Sequence, residues 1–341
     1  MDAQAVVFTA RNEVKFQDVR CPEPGPRDVV IEVHHSWISN GTEGSFLRGE
    51  RTSGDTTWRP GDPSPFPIIA GYQKVGRVSA VGAEAGDFAV GDWVFAVMSQ
   101  VEGMFDRHAG HVSPSVCDVS FVHKLPPGVD PLPYCGLVLT QVGFNCGTRP
   151  RIEPGQRAVV IGDGLVGQWA GQALKARGAR VVMTGRHESR LETFRAGGWG
   201  EAVKVAAGPG VDEVAAVAPE PIAVLVDTIG DTSLYDAYLS RMAHGGTIVS
   251  AGFYGTADAI EIQRYRFREL AFDLVAGITR DRVDATMEWV RAGKMDTTGL
   301  ITHRFPVAQA ADAWALISSK REHVLGVVLD WPAAQAKGGS A

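Results

Sequence analysis

Cysteine is scarce. The 341 residues hold four, Cys21, Cys117, Cys135 and Cys146, and no two of them stand as C-x-x-C. That spacing excludes a zinc ribbon and a thioredoxin-type redox pair. Free thiols in a reducing compartment are the expectation. Long apolar runs are missing as well, and none approaches the roughly 18 residues that a membrane helix needs. The opening stretch, Met1 to Val7, carries Asp2 and has neither the basic start nor the apolar core of a secretory signal. A cytoplasmic protein with no membrane partner is therefore expected. Basic runs are absent too. The net charge is -6 and no aromatics interleave with Lys or Arg, which sets nucleic acid aside as a partner.

Glycine, by contrast, is abundant. Forty of them, well above the usual ~7% share, imply many tight turns and close backbone approaches. The length suggests two domains. Up to about residue 125 the chain reads as short strands punctuated by Gly and Pro, among them Ala5–Phe8, Asp28–Val33, Lys74–Val81 and Asp92–Ala96. This is the pattern of a small β-barrel. It changes near Gln156. Arg157–Ile161 is a β-branched run of the kind buried in parallel sheets. Helical stretches (Gln168–Ala176, Arg186–Ala196, Ser233–Met242) then alternate with strands (Arg180–Thr184, Ala223–Asp227, Gly246–Ser250). Alternation of this kind predicts an α/β, doubly wound parallel sheet. Beyond Thr279 come a helix Val283–Arg291, a strand Leu300–Phe305, a helix Val307–Ser318, a closing strand Gly326–Leu329 and an Ala/Gly/Ser-rich tail expected to be flexible.

Gly162-Asp163-Gly164-Leu165-Val166-Gly167 is a G-x-G-x-x-G placed between a buried strand and a helix, as dinucleotide binding requires. Gly162 permits the tight turn, Gly164 lets the backbone approach a pyrophosphate, and Gly167 lets helix and strand pack closely. The helix start, Leu165 and Val166, offers N–H groups to phosphate. The next strand ends in Gly185-Arg186 where NAD enzymes carry a carboxylate for the ribose hydroxyls. A small residue followed by a guanidinium suits a ribose phosphate. The cofactor expected is NADP(H), with Arg186 its main reader and His187 and Arg190 assisting; an aspartate at Gly185 should then favour NADH. The competing reading makes Arg186 a solvated first-turn residue. Thr228, Gly252 and Phe253, which follow the later buried strands, complete the expected cofactor set.

With these residues on the page, the chain resembles the medium-chain dehydrogenase/reductases over nearly its whole length. The resemblance rests on Asp28-Val29-Val30-Ile31-Glu32-Val33, Gly71-Tyr72-Gln73-Lys74-Val75-Gly76-Arg77-Val78, Val90-Gly91-Asp92-Trp93-Val94, the glycine motif, Leu300-Ile301-Thr302-His303-Arg304-Phe305 and Leu325-Gly326-Val327-Val328-Leu329. It implies a GroES-like β-barrel catalytic domain (1–126, resumed at 280–332) around a Rossmann domain (127–279), with a tail at 333–341. It also implies pairing into a homodimer or homotetramer through the edge of the Rossmann sheet, assigned to the apolar strand Gly246–Phe253. Ser36-Trp37-Ile38-Ser39-Asn40-Gly41-Thr42-Glu43 further resembles the matching stretch of hydroxyethyl bacteriochlorophyllide dehydrogenases and related reductases.

Zinc-dependent members of that family place ligands where this chain has Ser39, Tyr72 and Leu137, none of which is a normal zinc ligand. The resemblance thus points to a zinc-free oxidoreductase. His108 and His111, three apart, are read as a packed or solvated pair, and Cys135 as a buried small hydrophobe. Without a metal, hydrogen-bond donors must carry the charge that develops on a carbonyl oxygen. Thr42 and Tyr72 stand where relatives place a relay hydroxyl and a ligand, Glu43 and Gln73 are placed to orient them, and Thr140 corresponds to a residue beside the nicotinamide. Two reactions remain open, carbonyl/alcohol interconversion and reduction of a conjugated C=C, as does a non-catalytic NADPH binder. The long segment Arg48–Phe66 reads as a lid or substrate wall. Its Trp58, with Trp37 nearby, is a candidate to stack on a cyclic small-molecule substrate, against the plainer role of loop anchor.

Overall fold

The computed structural model describes residues 1–54, 56–254, 259–320 and 323–332, so the tail at 333–341 lies outside the described residues. The chain divides into two compact units, one of Met1–Val138 with the chain from Thr297 on, the other Leu139–Asp296.

In the first unit the long strand Asp28–Ile38 is the organiser. Its β-branched residues face a core in which Phe8, Ile31, Val94, Trp314 and Leu329 meet. It pairs antiparallel with Lys74–Val81 on one side and with Ser115–Asp118 and Gly326–Asp330 on the other. Trp93–Ala96 and Val122–Lys124 extend the sheet beyond Lys74–Val81, and Ile301–Pro306 extends it beyond Gly326–Asp330, to seven strands. A second, three-stranded sheet brings in Asp2–Ala10 and Glu13–Arg20. The central strand ends in Ser36, Trp37 and Ile38, and the chain turns at once into the helix Asn40–Leu47. Sequence pattern missed this helix because NGTEGSFL has two glycines and no apolar stripe. Trp37 is fully buried, and a Cβ at Gly136 or Gly326 would strike its ring. The expectation that it stacks on substrate is therefore corrected: it is core.

The second unit is the doubly wound sheet. Six parallel strands run in the order Glu201–Lys204, Arg180–Gly185, Arg157–Ile161, Ile222–Asp227, Met242–Ser250, Ala271–Leu274. In chain order this is 3-2-1-4-5-6, the order of dinucleotide-binding sheets. Alternate residues serve opposite faces: Ala158 and Val160 belong to one buried cluster, Val159 and Ile161 to the other. The unexpected helix Leu137–Thr148 escaped period analysis because it is apolar on most sides, and its glycines serve close packing. A Cβ at Gly143 or Gly147 would lie 2.4 Å from the Cβ of Trp169 or Ala173.

Two further expectations change. Gly246–Phe253 is not an exposed strand: Met242–Ser250 is paired on both sides, and the edge belongs to Ala271–Leu274. The helix expected from Arg186 begins at Glu188, because the Arg186 and His187 N–H groups are taken by a side chain described below.

Candidate functional site

In the nucleotide-binding unit the glycine motif has the geometry its spacing requires. Gly162 takes φ +111°, and a Cβ there would sit 2.2 Å from Thr228 Oγ1. Thr228 itself donates to the Ile161 carbonyl at 2.8 Å. A Cβ at Gly167 would lie 2.0 Å from the Gly162 carbonyl oxygen, whereas one at Gly164 would meet nothing within 4 Å. Gly164 caps the helix Leu165–Ala176, so the free N–H groups of its first turn, at Leu165 and Val166, adjoin open space. Gly252 packs against the Gly230 backbone, and Phe253 is exposed. The 228–231 turn is held by the buried Asp227, whose carboxylate accepts the N–H groups of Ile229, Gly230 and Asp231. Thr140 is fully buried in the first turn of Leu137–Thr148.

Sequence reasoning passed over Asp163, the second residue of the motif. Its buried carboxylate takes the Arg186 N–H at 2.8 Å and the His187 N–H at 2.9 Å on Oδ2. It also bonds His187 Nδ1 at 3.0 Å and Arg190 Nη1 at 3.2 Å. Because a carboxylate only accepts, His187 carries its proton on Nδ1. Gly185 is small for the same reason, since a Cβ would fall 2.3 Å from Asp163 Oδ2. The room beside Gly185 is thus filled by the chain's own carboxylate. Of the three expected phosphate readers, His187 and Arg190 are held on Asp163. Arg186 is exposed, and its guanidinium pairs with none of the described residues.

In the barrel unit a second polar cluster lies where the helix Asn40–Leu47 begins. The Ser39 N–H donates to Glu43 Oε1 at 2.7 Å, a side chain reaching back to cap its own helix. Glu43 Oε2 meets His111 Nε2 at 2.8 Å, with both side chains at zero exposure. His111 Nδ1 lies 2.8 Å from Ser36 Oγ, which accepts the Trp331 indole N–H at 2.9 Å. Tyr72 completes the cluster. It is half-buried as a residue, and the side chains of Ser39 and Thr42 neighbour its hydroxyl and favour its ionised form. Burial at that hydroxyl, reinforced by the Glu43 charge, pushes its pKa up to about 12.

Thr42, Glu43 and Tyr72 therefore do converge, through Ser39. Gln73 is fully buried and spans the Trp37 carbonyl and the Val138 N–H. The expected histidine pair separates: half-exposed His108 binds Asp106 at 3.0 Å, while His111 is in the buried cluster. No sequence signal marked His111 and Ser36, because neither spacing nor hydropathy shows that residues 36, 43 and 111 meet. Trp58 is half-exposed, donates to the Pro63 carbonyl at 3.2 Å, and lines an open cavity of about 500 Å³ with Arg11, Gly49 and Phe66.

The three positions that correspond to zinc ligands do not fit the metal. Ser39 and Tyr72 present neighbouring hydroxyls, which are not normal zinc ligands, and Leu137 is a buried hydrocarbon. Cys135 is buried, and burial drives its thiol pKa upward, against thiolate formation. Among the described residues no group of three or more His, Cys, Asp or Glu is arranged to hold a metal.

Comparison with known proteins gives a consistent picture. Residues 166–292 match the family model described as zinc-binding dehydrogenase. Over 98% of the chain and 99% of the relative, it is 28% identical to 2-desacetyl-2-hydroxyethyl bacteriochlorophyllide A dehydrogenase of Cereibacter sphaeroides. Among solved structures, the alcohol dehydrogenase of Thermus sp. ATN1 superposes with a TM-score of 0.81 at 20% identity, covering 96% of this chain and all of that one. A structure described as a zinc-binding dehydrogenase of Sinorhizobium meliloti 1021 bound to NADP gives 0.80 at 20% identity, covering 97% and 99%. No helix among the described residues is long and apolar enough to cross a membrane. Over nearly its whole length the chain is thus similar to dehydrogenases, and within it residues 166–292 carry the zinc-binding dehydrogenase signature.

Proposed function

We propose that this dehydrogenase works without zinc, uses NADP(H), and interconverts a carbonyl and an alcohol on a small, cyclic molecule. The observation that carries this reading is the Tyr72 hydroxyl, at a position where zinc-dependent relatives place a ligand, with Ser39 and Thr42 beside it. When bound, NADPH supplies the hydride for the carbonyl carbon. The chain's own task is to manage the oxygen. Tyr72, kept protonated by burial, donates a hydrogen bond to the oxygen as charge builds and then passes its proton, giving the alcohol. Half-buried Thr42 is a route by which the phenol regains a proton. The NADP(H) part rests on the Arg186 guanidinium just past the second strand, exposed and unpaired among the described residues. The relative from Cereibacter sphaeroides, named as the dehydrogenase of a hydroxyethyl bacteriochlorophyllide, favours alcohol–ketone chemistry over C=C reduction. Pairing into a homodimer or homotetramer belongs to the same proposal, now through the edge strand Ala271–Leu274, where Leu274 is 69% exposed.

The test is NADPH oxidation against ketones, enones and quinones, with product analysis and metal content measured on the same sample. Activity retained in chelator, alcohol as product and a Tyr72→Phe loss of about 10²–10⁴-fold in kcat are expected. One tightly bound zinc per chain, or a Tyr72→Phe enzyme of undiminished kcat, would sink the proposal.

A further inference from the structure

We infer that His111 and Ser36, acting through Glu43, are positioning residues for the Tyr72 hydroxyl; the inference rests on the proton-donor role proposed above. The hydrogen bonds fix its logic. The Trp331 indole is a donor only, so Ser36 Oγ accepts from it at 2.9 Å. The Glu43 carboxylate only accepts, so His111 Nε2 is the donor to it, which leaves Nδ1 to accept the Ser36 hydroxyl at 2.8 Å. His111 therefore carries its proton on Nε2 and gives it to Glu43 Oε2 at 2.8 Å. The other oxygen of Glu43 takes the Ser39 N–H at 2.7 Å. The side chain of Ser39 in turn neighbours the Tyr72 hydroxyl, and Gly110, the residue before His111, packs on the Tyr72 backbone, where a Cβ would lie 2.3 Å from its nitrogen. From Trp331 to the Ser39 N–H each donor meets an acceptor, as a buried polar set requires.

The surroundings hold the imidazole to one placement. Its Nε2 lies where a Cβ at Gly71 would be only 2.5 Å away, and Gly71 takes φ +85°, so residue 71 has no side chain and Tyr72 follows it directly. The Trp314 ring packs edge-on against the imidazole, with centroids 5.5 Å apart. The fully buried Lys74 ammonium donates to the Ala109 carbonyl at 3.3 Å and the Gly110 carbonyl at 3.0 Å, anchoring the residues just before His111. An ordinary helix cap needs only Glu43 and solvent. Here the capping carboxylate has zero exposure and depends on His111 for its remaining partner, so loss of the imidazole releases Glu43, then Ser39, then the phenol.

The experiment is a double-mutant cycle between His111 and Tyr72. Ketone reduction is followed with acetophenone and cyclohexanone as probes, alongside NADPH titration and thermal unfolding. His111→Phe should lower kcat by about 100-fold, the scale of a misplaced reacting group, with the NADPH Kd unchanged. His111→Gln, which keeps a donor for Glu43, should restore most of the rate. In a Tyr72→Phe background His111→Phe should cost nothing further, since a positioning residue has no effect once its object is gone. Equal losses in both backgrounds, or no loss on wild type while Tyr72→Phe is impaired, overturn the inference and leave the proposed function standing. A Tyr72→Phe enzyme of full activity, or a wild type that reduces neither ketone nor any other carbonyl probe, overturns both. If His111→Phe fails to fold, Ser36→Ala serves in its place: it should give a smaller kcat loss with the same non-additivity, and additivity there refutes the inference. Independently of any substrate, ¹⁵N-histidine spectra should show His111 as the Nε2–H tautomer; the Nδ1–H form contradicts the series.

Discussion

Arg186→Ala isolates the cofactor choice cleanly, because the Arg186 backbone and side chain have separate anchors. Its N–H is held by Asp163 at 2.8 Å, while its guanidinium is exposed and unpaired among the described residues. Removing the side chain therefore leaves the turn in place. A charge-assisted bond to phosphate contributes ~1.5–3 kcal/mol, which at 1.36 kcal/mol per decade is about 10- to 150-fold in affinity. The group is exposed, so the effect belongs near the lower end of that range and should shrink as salt is raised. Fluorescence titration of NADPH and NADH against wild type and variant, at two ionic strengths, reads it directly. NADPH binding should weaken and NADH binding stay as it was. Wild type binding NADH more tightly, or equal weakening of both cofactors, refutes the reasoning.

Other outcomes follow from the same contacts. Gly185→Asp, which the sequence suggested as a switch towards NADH, should instead lower the melting temperature, since its Cβ would fall 2.3 Å from Asp163 Oδ2 and place two carboxylates together; a stable variant that binds NADH more tightly contradicts this. Gly71→Ala should destabilise the barrel unit, through both the 2.5 Å approach to His111 and the φ of +85°, so a wild-type thermal midpoint would count against the described packing. Glu43→Gln removes a charge that raises the Tyr72 pKa, so phenolate should form at lower pH than about 12 when tyrosine ionisation is followed by ultraviolet difference against Tyr72→Phe; an unmoved titration shows that Glu43 does not act on the phenol. Sedimentation at micromolar concentration should show a dimer or tetramer that Leu274→Glu, on the exposed edge strand, weakens; a wild-type monomer ends that part of the proposal.

The parallel sheet was legible because its strands are buried on both faces and read as unbroken β-branched runs: Arg157–Ile161 is found with the very bounds that pattern assigns. The turn after it was legible because three glycines have three separate steric reasons. Legibility failed where meaning depends on distant residues. The edge of the sheet went to the wrong strand because an apolar run looks alike at an edge and one place inside it; only pairing with Ala271–Leu274 separates them. Trp37 looked available beside the candidate site, yet Gly136 and Gly326, far away in sequence, close over it.

The same limit explains the two histidine assignments that sequence left blunt. His111 and His108 share a short spacing, but strand geometry sends one into the barrel to Glu43 and leaves the other half-exposed on Asp106. At the nucleotide turn the motif's variable position, Asp163, proves as constraining as its glycines. It dictates Gly185, captures His187 and Arg190, and delays the helix to Glu188. In each unit a buried carboxylate gathers N–H donors, Ser39 and His111 on Glu43, and Arg186, His187 and Arg190 on Asp163, and the proposed reactive groups, Tyr72 and Arg186, lie beside it. The proposed function is therefore best tested one residue further in than the reactive groups, at Glu43 and Asp163, whose contacts set the surroundings of Tyr72 and Arg186.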